Sequence, residues 1–595
     1  MAMNTDKRTG VVVPLFSVYS KNSLGIGDLA DLKLLIDWAV QSGNSIIQLL
    51  PMNEMGPVFC PYDSVSSFAL EPVYISFDSM PDNCNKIIQD KAKNLKWLFP
   101  AGKGYVDYAL KKEKINLLWE IFLQCRDRDS LEFKRFREEN AYWLTDFSLY
   151  KVIKDYYKGS AWYEWENKFK NRDRAALDNF QIEHEREISF QMWVQWQLYK
   201  QFRDAKLYAQ SKKVLLKGDL PILVSRDSAD VWTHPEFFKL DYAAGAPPDM
   251  YAALGQRWGM PVYNWERIAE DNFVYLKEKL RYAQNFYDIL RIDHAVGLFR
   301  IWSIPYNEPL ENKGLNGFFD PADENRWGEH GRSLLAVILK NTNMLLCAED
   351  LGVIPKVCPD TLKELDIPGN DVQRWTKDWK VKHDFLEPEK YRTLSVAMLS
   401  THDTTNWPAW WENEAGTVDE DLFIRRCSDH RRIDFNSIKE RLFDLSRSGH
   451  GRLRWLDSVD SVDKLVKGLI PKGTIPKEHL LDFIDMYENS YQEKEKLWQY
   501  LEIKGPMREK CDSEIVRQAL KITLNSSAVF CINTIIDYLY LADIFKGDSY
   551  QYRINTPGTI SDKNWSLTIP LPLEDLLKHK VNKDIRKMIS SSGRI

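Results

Sequence analysis

Three carboxylates in this chain each close an apolar run: Asp293 in RIDHAVG, Glu349 in CAEDLG and Asp403 in STHDTTNW. They stand 56 and 54 residues apart, about the length that a strand, a decorated loop and a helix consume. Three successive β/α steps would aim all three at one cleft. A single acid after a strand is more often a helix cap. Three of them, beside Arg291, His294 and His402, suit cleavage of a glycosidic bond. One would form a glycosyl ester, a second would protonate the leaving oxygen and later deprotonate the acceptor, and a third would bind the distorted, oxocarbenium-like sugar. Arg291 lies two positions before Asp293, so in a strand they share a face, and the guanidinium would keep the carboxylate ionised with a depressed pKa. His294 and His402 either donate to sugar hydroxyls or sit as core histidines.

The opening of the chain supplies one unit of the scaffold such acids need. An apolar run, GVVVPLF, leads through SLGIGD (23–28) into a helical stretch from Leu29 to Ser42 and then SIIQLLP (45–51). Asp28 can cap the helix start, Leu32, Leu35, Ile36 and Ala39 fall on one face, and Gly43 can end it. Apolar runs recur at 214–224, 287–293, 344–350, 394–403 and 528–536. Several end in acidic or polar clusters, as strands buried on both faces would at a catalytic rim. The fold expected is α/β, a (β/α)8 barrel with large, mainly helical insertions. Its divisions are the barrel start at 1–84, a helical insertion at 85–212, and the central barrel with the carboxylates at 213–411. A second helical insertion at 412–525 and the barrel end with a C-terminal segment at 526–595 complete it.

Composition narrows the partners. With 81 Lys and Arg against 86 Asp and Glu, the formal charge is -5, which gives neither the basic field of a nucleic-acid binder nor an acidic tail. The 21 Trp and 27 Tyr are mostly core, yet such rings also suit the flat faces of sugars. Eight scattered cysteines without a C-x-x-C pair read as free thiols. The start MAMNTDKRTG has no apolar leader stretch, and no long uncharged run suggests a membrane span. A cytoplasmic protein without metal or cofactor is the expectation.

The motifs together resemble the 4-α-glucanotransferases, the amylomaltases or disproportionating enzymes of glycoside hydrolase family 77. They are SLGIGDL (23–29), CPYDSVSSFAL (60–70), KGDLPILVSRDSADVW (217–232), AGAPPDMYAALGQRWGMPVYNW (244–265), RIDH (291–294), AEDLG (348–352), THD (401–403), and INTPGT (554–559) followed by NW (564–565). The resemblance implies that Asp293 is the nucleophile, Glu349 the general acid/base and Asp403 the third carboxylate. It further implies that Arg291, His294, His402 and Asp219 hold the sugar, that Tyr62 belongs to the same cleft, and that the loop around Asp249, Tyr251 and Trp258 wraps the glucan. Implied substrates are maltose, malto-oligosaccharides and a glycogen-like polymer; an α-amylase-type hydrolase or a non-catalytic glucan-binding protein is the alternative. Common members read RIDHFRGF with Asn after THD, whereas this chain has Ala295, Val296 and Thr404. RIDHAVGLFRIW (291–302) looks closer to the plant cytosolic disproportionating enzyme, whose N-terminal starch-binding modules are not seen before this barrel. Ala295 and Val296 would then give the glucan a differently shaped, less charged rim.

Overall fold

The computed structural model describes residues 6–594 apart from 81–85, 126, 250–251, 431–432 and 471–476. Its centre is a ring of eight parallel strands: β1 (Arg8–Val12), β2 (Ile46–Gln48), β3 (Leu215–Leu220), β4 (Ile289–Ile292), β5 (Leu345–Ala348), β6 (Gly369–Val372), β7 (Ser395–Met398) and β8 (Phe530–Thr534). Neighbours in the ring follow chain order, and β8 returns to β1 in the register Arg8↔Phe530 to Val12↔Thr534. At the β5–β6 seam, Ala348 N donates to Pro368 O at 2.8 Å and Asn370 N to Asp350 Oδ1 at 2.6 Å. A Cβ on Gly369 would fall 2.4 Å from Asp350 Oδ2, so the seam needs that glycine. Residues of β2, β4, β6, β7 and β8 are buried throughout, the pattern of strands covered on both faces.

Helices cover the ring. Between β1 and β2 runs α1 (Asp31–Ser42); α2 (Glu185–Ser211), α3 (Val274–Ala283), α4 (Trp327–Lys340) and α5 (Val357–Glu364) precede β3, β4, β5 and β6; α6 (Ser513–Leu524) precedes β8, and α7 (Val581–Ser591) follows it. Gly43 ends α1 in the left-handed region. Its start falls two residues later than the sequence suggests, because Asp28 Oδ1 accepts from Ala30 N and Asp31 N and so caps a preceding turn. Between β6 and β7 the chain makes 3-10 turns and the Lys377–Asp378/Asp384–Phe385 hairpin in place of an α-helix.

The inserted segments differ in how they pack. Helices of the first, represented by Leu117, Phe133, Phe147 and Trp193, join the barrel in one continuous core. Residues 418–487 build a second core around Phe423, Leu465, Trp455 and Phe483. A third decoration is β rather than helical: strands Phe238–Ala246, Gln256–Tyr263, Ile301–Pro305 and Phe318–Asp320 form an antiparallel sheet on the barrel rim.

Candidate active site

The ends of β3, β4 and β5 are laced together, and this fixes the acids that follow them. Asp293 N donates to Leu220 O at 3.1 Å, Glu349 N to Ile292 O at 2.9 Å, and Ala295 N to Glu349 O at 3.0 Å. Asp219 and Arg291 are register partners on β3 and β4, and Ile292 is the partner of Ala348. Asp293 and Glu349 are thus successive exits from neighbouring strands, whose spacing is about 4.8 Å. His294 then turns the backbone through a left-handed conformation, φ 43°, into the buried 3-10 turn Ala295–Leu298.

One guanidinium ties the site together. Arg291 Nη1 donates to Asp219 Oδ1 and Oδ2 at 2.6 and 2.7 Å and pairs with Asp293 Oδ1 at 2.8 Å. Tyr62 reaches in from the loop after β2 and donates its hydroxyl to Asp219 Oδ2 at 2.8 Å. Its ring stacks on His402 at 5.0 Å and tilts against Trp565 at 5.6 Å. His402 Nε2 lies 3.3 Å from Asp403 Oδ2. Trp258, on the Gln256–Tyr263 strand, meets the His294 ring edge-on at 4.8 Å. The structure therefore gathers Tyr62, Asp219, Arg291, Asp293, Glu349, His402 and Asp403, with His294 and Trp258 beside them. Asp249 Oδ1 accepts from Ala252 N at 2.7 Å and shapes the connection before that strand. Tyr251 lies outside the described residues.

The three acids sit in different electrostatic settings. Burial pushes Glu349 up to about 8, with Arg291 opposing and Asp293 adding to the rise; its Oε1 accepts from Leu351 N at 3.0 Å, and it forms no ion pair among the described residues. Asp293 departs from the depressed pKa expected of it. Arg291 does pull it down, but burial at the foot of the cleft is the larger effect and the carboxyl stands at about 6. About 25 % of that side chain meets solvent, so what carries weight is that Asp293 gives up its proton before Glu349 does. For Asp403 burial works upward, but the His402 imidazole, the Asn555 amide and Arg291 outweigh it and hold the carboxyl at about 2. Burial, aided by Arg291, lowers His294 to about 4, so its ring is neutral at pH 7. Two neighbouring carboxyls pushed apart in this way, one retaining its proton where the other has lost it, are equipped for paired acid and nucleophile roles.

One further expectation changes here. Ala295 and Val296 are 0 % and 5 % exposed, so they present no surface to a sugar, and Ala295 instead anchors the backbone of Glu349. Residues that reasoning on the acids missed come from the segment after β8. Asn555 Nδ2 donates to Asp403 Oδ1 at 2.7 Å, Arg553 Nη2 to Asp403 O at 2.9 Å, and Trp565 packs against Tyr62 and His402. The INTPGT and NW motifs flagged that segment without saying what it touches. Lys217, two residues before Asp219, is buried below the site. No group of ligating side chains that could hold a metal occurs among the described residues, and no helix there is long and apolar enough to cross a membrane.

Comparison with known proteins bears on the family and the fold. The 4-alpha-glucanotransferase of Chlamydia pneumoniae is 32 % identical over 99 % of this chain and 96 % of its own. The rice 4-alpha-glucanotransferase DPE2 is 29 % identical over 68 % of this chain and 58 % of its own. Among solved structures, an amylomaltase from Streptococcus agalactiae in complex with acarbose superposes with a TM-score of 0.71 at 22 % identity, covering 99 % of both chains, which shows a shared fold. The model of glycoside hydrolase family 77 matches residues 13–572. The chain belongs to that family, the 4-alpha-glucanotransferases.

Proposed function

We propose that this 4-alpha-glucanotransferase works by double displacement through Asp293 and Glu349. In the first step Asp293 attacks the anomeric carbon of an α-1,4 glucan while Glu349 gives its proton to the departing glycosidic oxygen. A glycosyl ester on Asp293 forms, and the shortened glucan leaves with that proton. In the second step the Glu349 carboxylate takes the proton of an acceptor hydroxyl, whose oxygen attacks the anomeric carbon and frees Asp293. The observation that carries the reading is the contrast between Asp293, held by Arg291 at 2.8 Å, and Glu349, which burial keeps protonated.

The neighbouring groups fit supporting roles. Arg291 and Tyr62, both fixed on Asp219, place the nucleophile and present an aromatic wall to the ring bound beside it. Asp403, ionised and oriented by Asn555, is a steady negative charge for the oxocarbenium-like transition state and its hydroxyls. Trp258, edge-on to His294, stands where a cover over the ester would exclude water and favour a sugar acceptor. Donors in this reading are maltose and malto-oligosaccharides, and acceptors are oligosaccharides or a branched, glycogen-like polymer.

Product analysis tests it. With maltotriose the protein should build longer oligomers as well as smaller sugars, and with maltose, added glycogen should speed glucose release severalfold. Smaller products alone from maltotriose would mean hydrolysis. A ladder from maltotriose with glucose release indifferent to glycogen would remove the polymer acceptor while leaving the transferase.

A further inference from the structure

A second cavity, separate from the acids, lies behind the loop that carries Tyr62. Its free space of about 230 Å³ equals about seven or eight waters at roughly 30 Å³ each, room for one sugar ring rather than a chain. Phe68, Tyr142, Trp143 and Tyr275 form its aromatic walls; Phe68 and Trp143 stack in parallel, centroids 5.7 Å apart, and the edges of Tyr142 and Tyr275 close on Phe68 at 5.8 and 6.1 Å. Val274, at the first position of α3 and 40 % exposed, stands at the mouth.

The polar lining distinguishes a neutral ligand from a cation. Four carboxylates face the space, Asp146, Asp230, Asp271 and Glu278; two accept hydrogen bonds and a third is ion-paired. Arg172 Nη2 donates to Asp146 Oδ1 at 2.6 Å, and Arg281 lies 3.8 Å from Glu278. Asp230 is buried and accepts from Ser67 N at 3.0 Å and from Tyr275 Oη at 2.7 Å, with the Lys279 ammonium near enough to feel its charge. Partnered carboxylates have little need of a guest cation but keep lone pairs free for hydroxyls, while the apolar aromatic lining takes the C–H side of a pyranose. We propose that this cavity is a second, non-catalytic binding site for a single neutral pyranose, either free glucose or the terminal unit of a glucan. Because Asp230 grips Ser67, five residues beyond Tyr62, a guest there bears on the loop that delivers Tyr62 to Asp219.

Nothing in this depends on the roles of Asp293 and Glu349, and binding is read without turnover. D-glucose is titrated calorimetrically into the wild-type protein, Val274→Trp to plug the mouth, Tyr142→Ala to remove a wall, and Asp219→Asn to disable the catalytic cleft; choline chloride serves as the cationic probe. The site predicts saturable glucose binding that persists in Asp219→Asn, disappears in Val274→Trp and weakens about fivefold or more in Tyr142→Ala. Val274→Trp should keep maltotriose disproportionation within about twofold of wild type. Should Val274→Trp not fold, Tyr142→Ala decides. Glucose binding lost in Asp219→Asn and untouched in Val274→Trp or Tyr142→Ala, no saturable binding in the wild type, or saturation by choline in place of glucose would each overturn the assignment.

Discussion

Titrating glucan transfer across roughly pH 4–10 should trace a bell whose limbs belong to Asp293 and Glu349 as an interacting pair. The nucleophile must be ionised, so activity falls as pH drops through about 6. The acid must carry its proton, so activity falls as pH rises through about 8. With those values roughly five-sixths of the molecules hold the working form at pH 7, and about one in eleven does at pH 5 or pH 9. The perturbation that separates the limbs is Glu349→Gln assayed with an α-glucosyl fluoride, whose leaving fluoride needs no proton. On that donor the alkaline limb of ester formation should vanish while the acidic limb near 6 stays. On maltotriose the same variant should lose on the order of 10²–10⁴ in turnover. The assay is initial fluoride release for the first donor and product chromatography for the second. An alkaline limb that persists with the fluoride in Glu349→Gln would refute the assignment of that limb to Glu349.

Further outcomes follow from the same geometry. A carboxyl raised from an ordinary 4.5 to about 8 costs stability from pH 4.5 upward, so Glu349→Gln should be more stable than wild type by on the order of 3 kcal/mol at pH 7 and by almost nothing at pH 4.5, read from urea midpoints at the two pH values. Arg291→Met leaves Asp219 and Asp293 buried without their shared cation; it should destabilise by about 3–5 kcal/mol and, in any folded fraction, move the acidic limb to higher pH. Asn555→Ala removes the donor to Asp403 Oδ1; kcat/KM should fall roughly 10- to 100-fold with neither limb moving, since Asp403 stays ionised throughout, and a displaced limb would count against that role.

The apolar runs named five of the eight strands together with their polar ends, and the opening unit supplied two more, because parallel strands covered on both faces must be apolar along their length. β6 escaped notice since Gly369, Asn370, Asp371 and Val372 carry little hydrophobic signal; it is held by Asp350 and Arg392, whose Nη1 donates to Asp350 at 2.5 Å. The antiparallel sheet that bears Trp258 is equally hidden, as its longest pair of strands is bulged, with register shifts after Lys239 and Ala243 that break the alternation of a regular strand. Asp293, Glu349 and Asp403 could be read from their positions at strand exits. The sign of the Asp293 shift could not, because a neighbouring arginine in the sequence says nothing about how much water the fold removes. Asn555 is bound to Asp403 across 152 residues, a contact no local pattern encodes.

The central claim, that glucan passes through a covalent ester on Asp293, is tested most directly by trapping it. Glu349→Gln is mixed with α-maltosyl fluoride and no acceptor, quenched in acid, digested, and the peptide masses read. One glycosyl group on the peptide containing Asp293, absent from Asp293→Asn and persisting when maltose is added before the quench, because no carboxylate at position 349 remains to deprotonate the acceptor, is the predicted result. An unmodified Asp293 peptide despite fluoride release, or a glycosyl group on another carboxylate, would contradict the account.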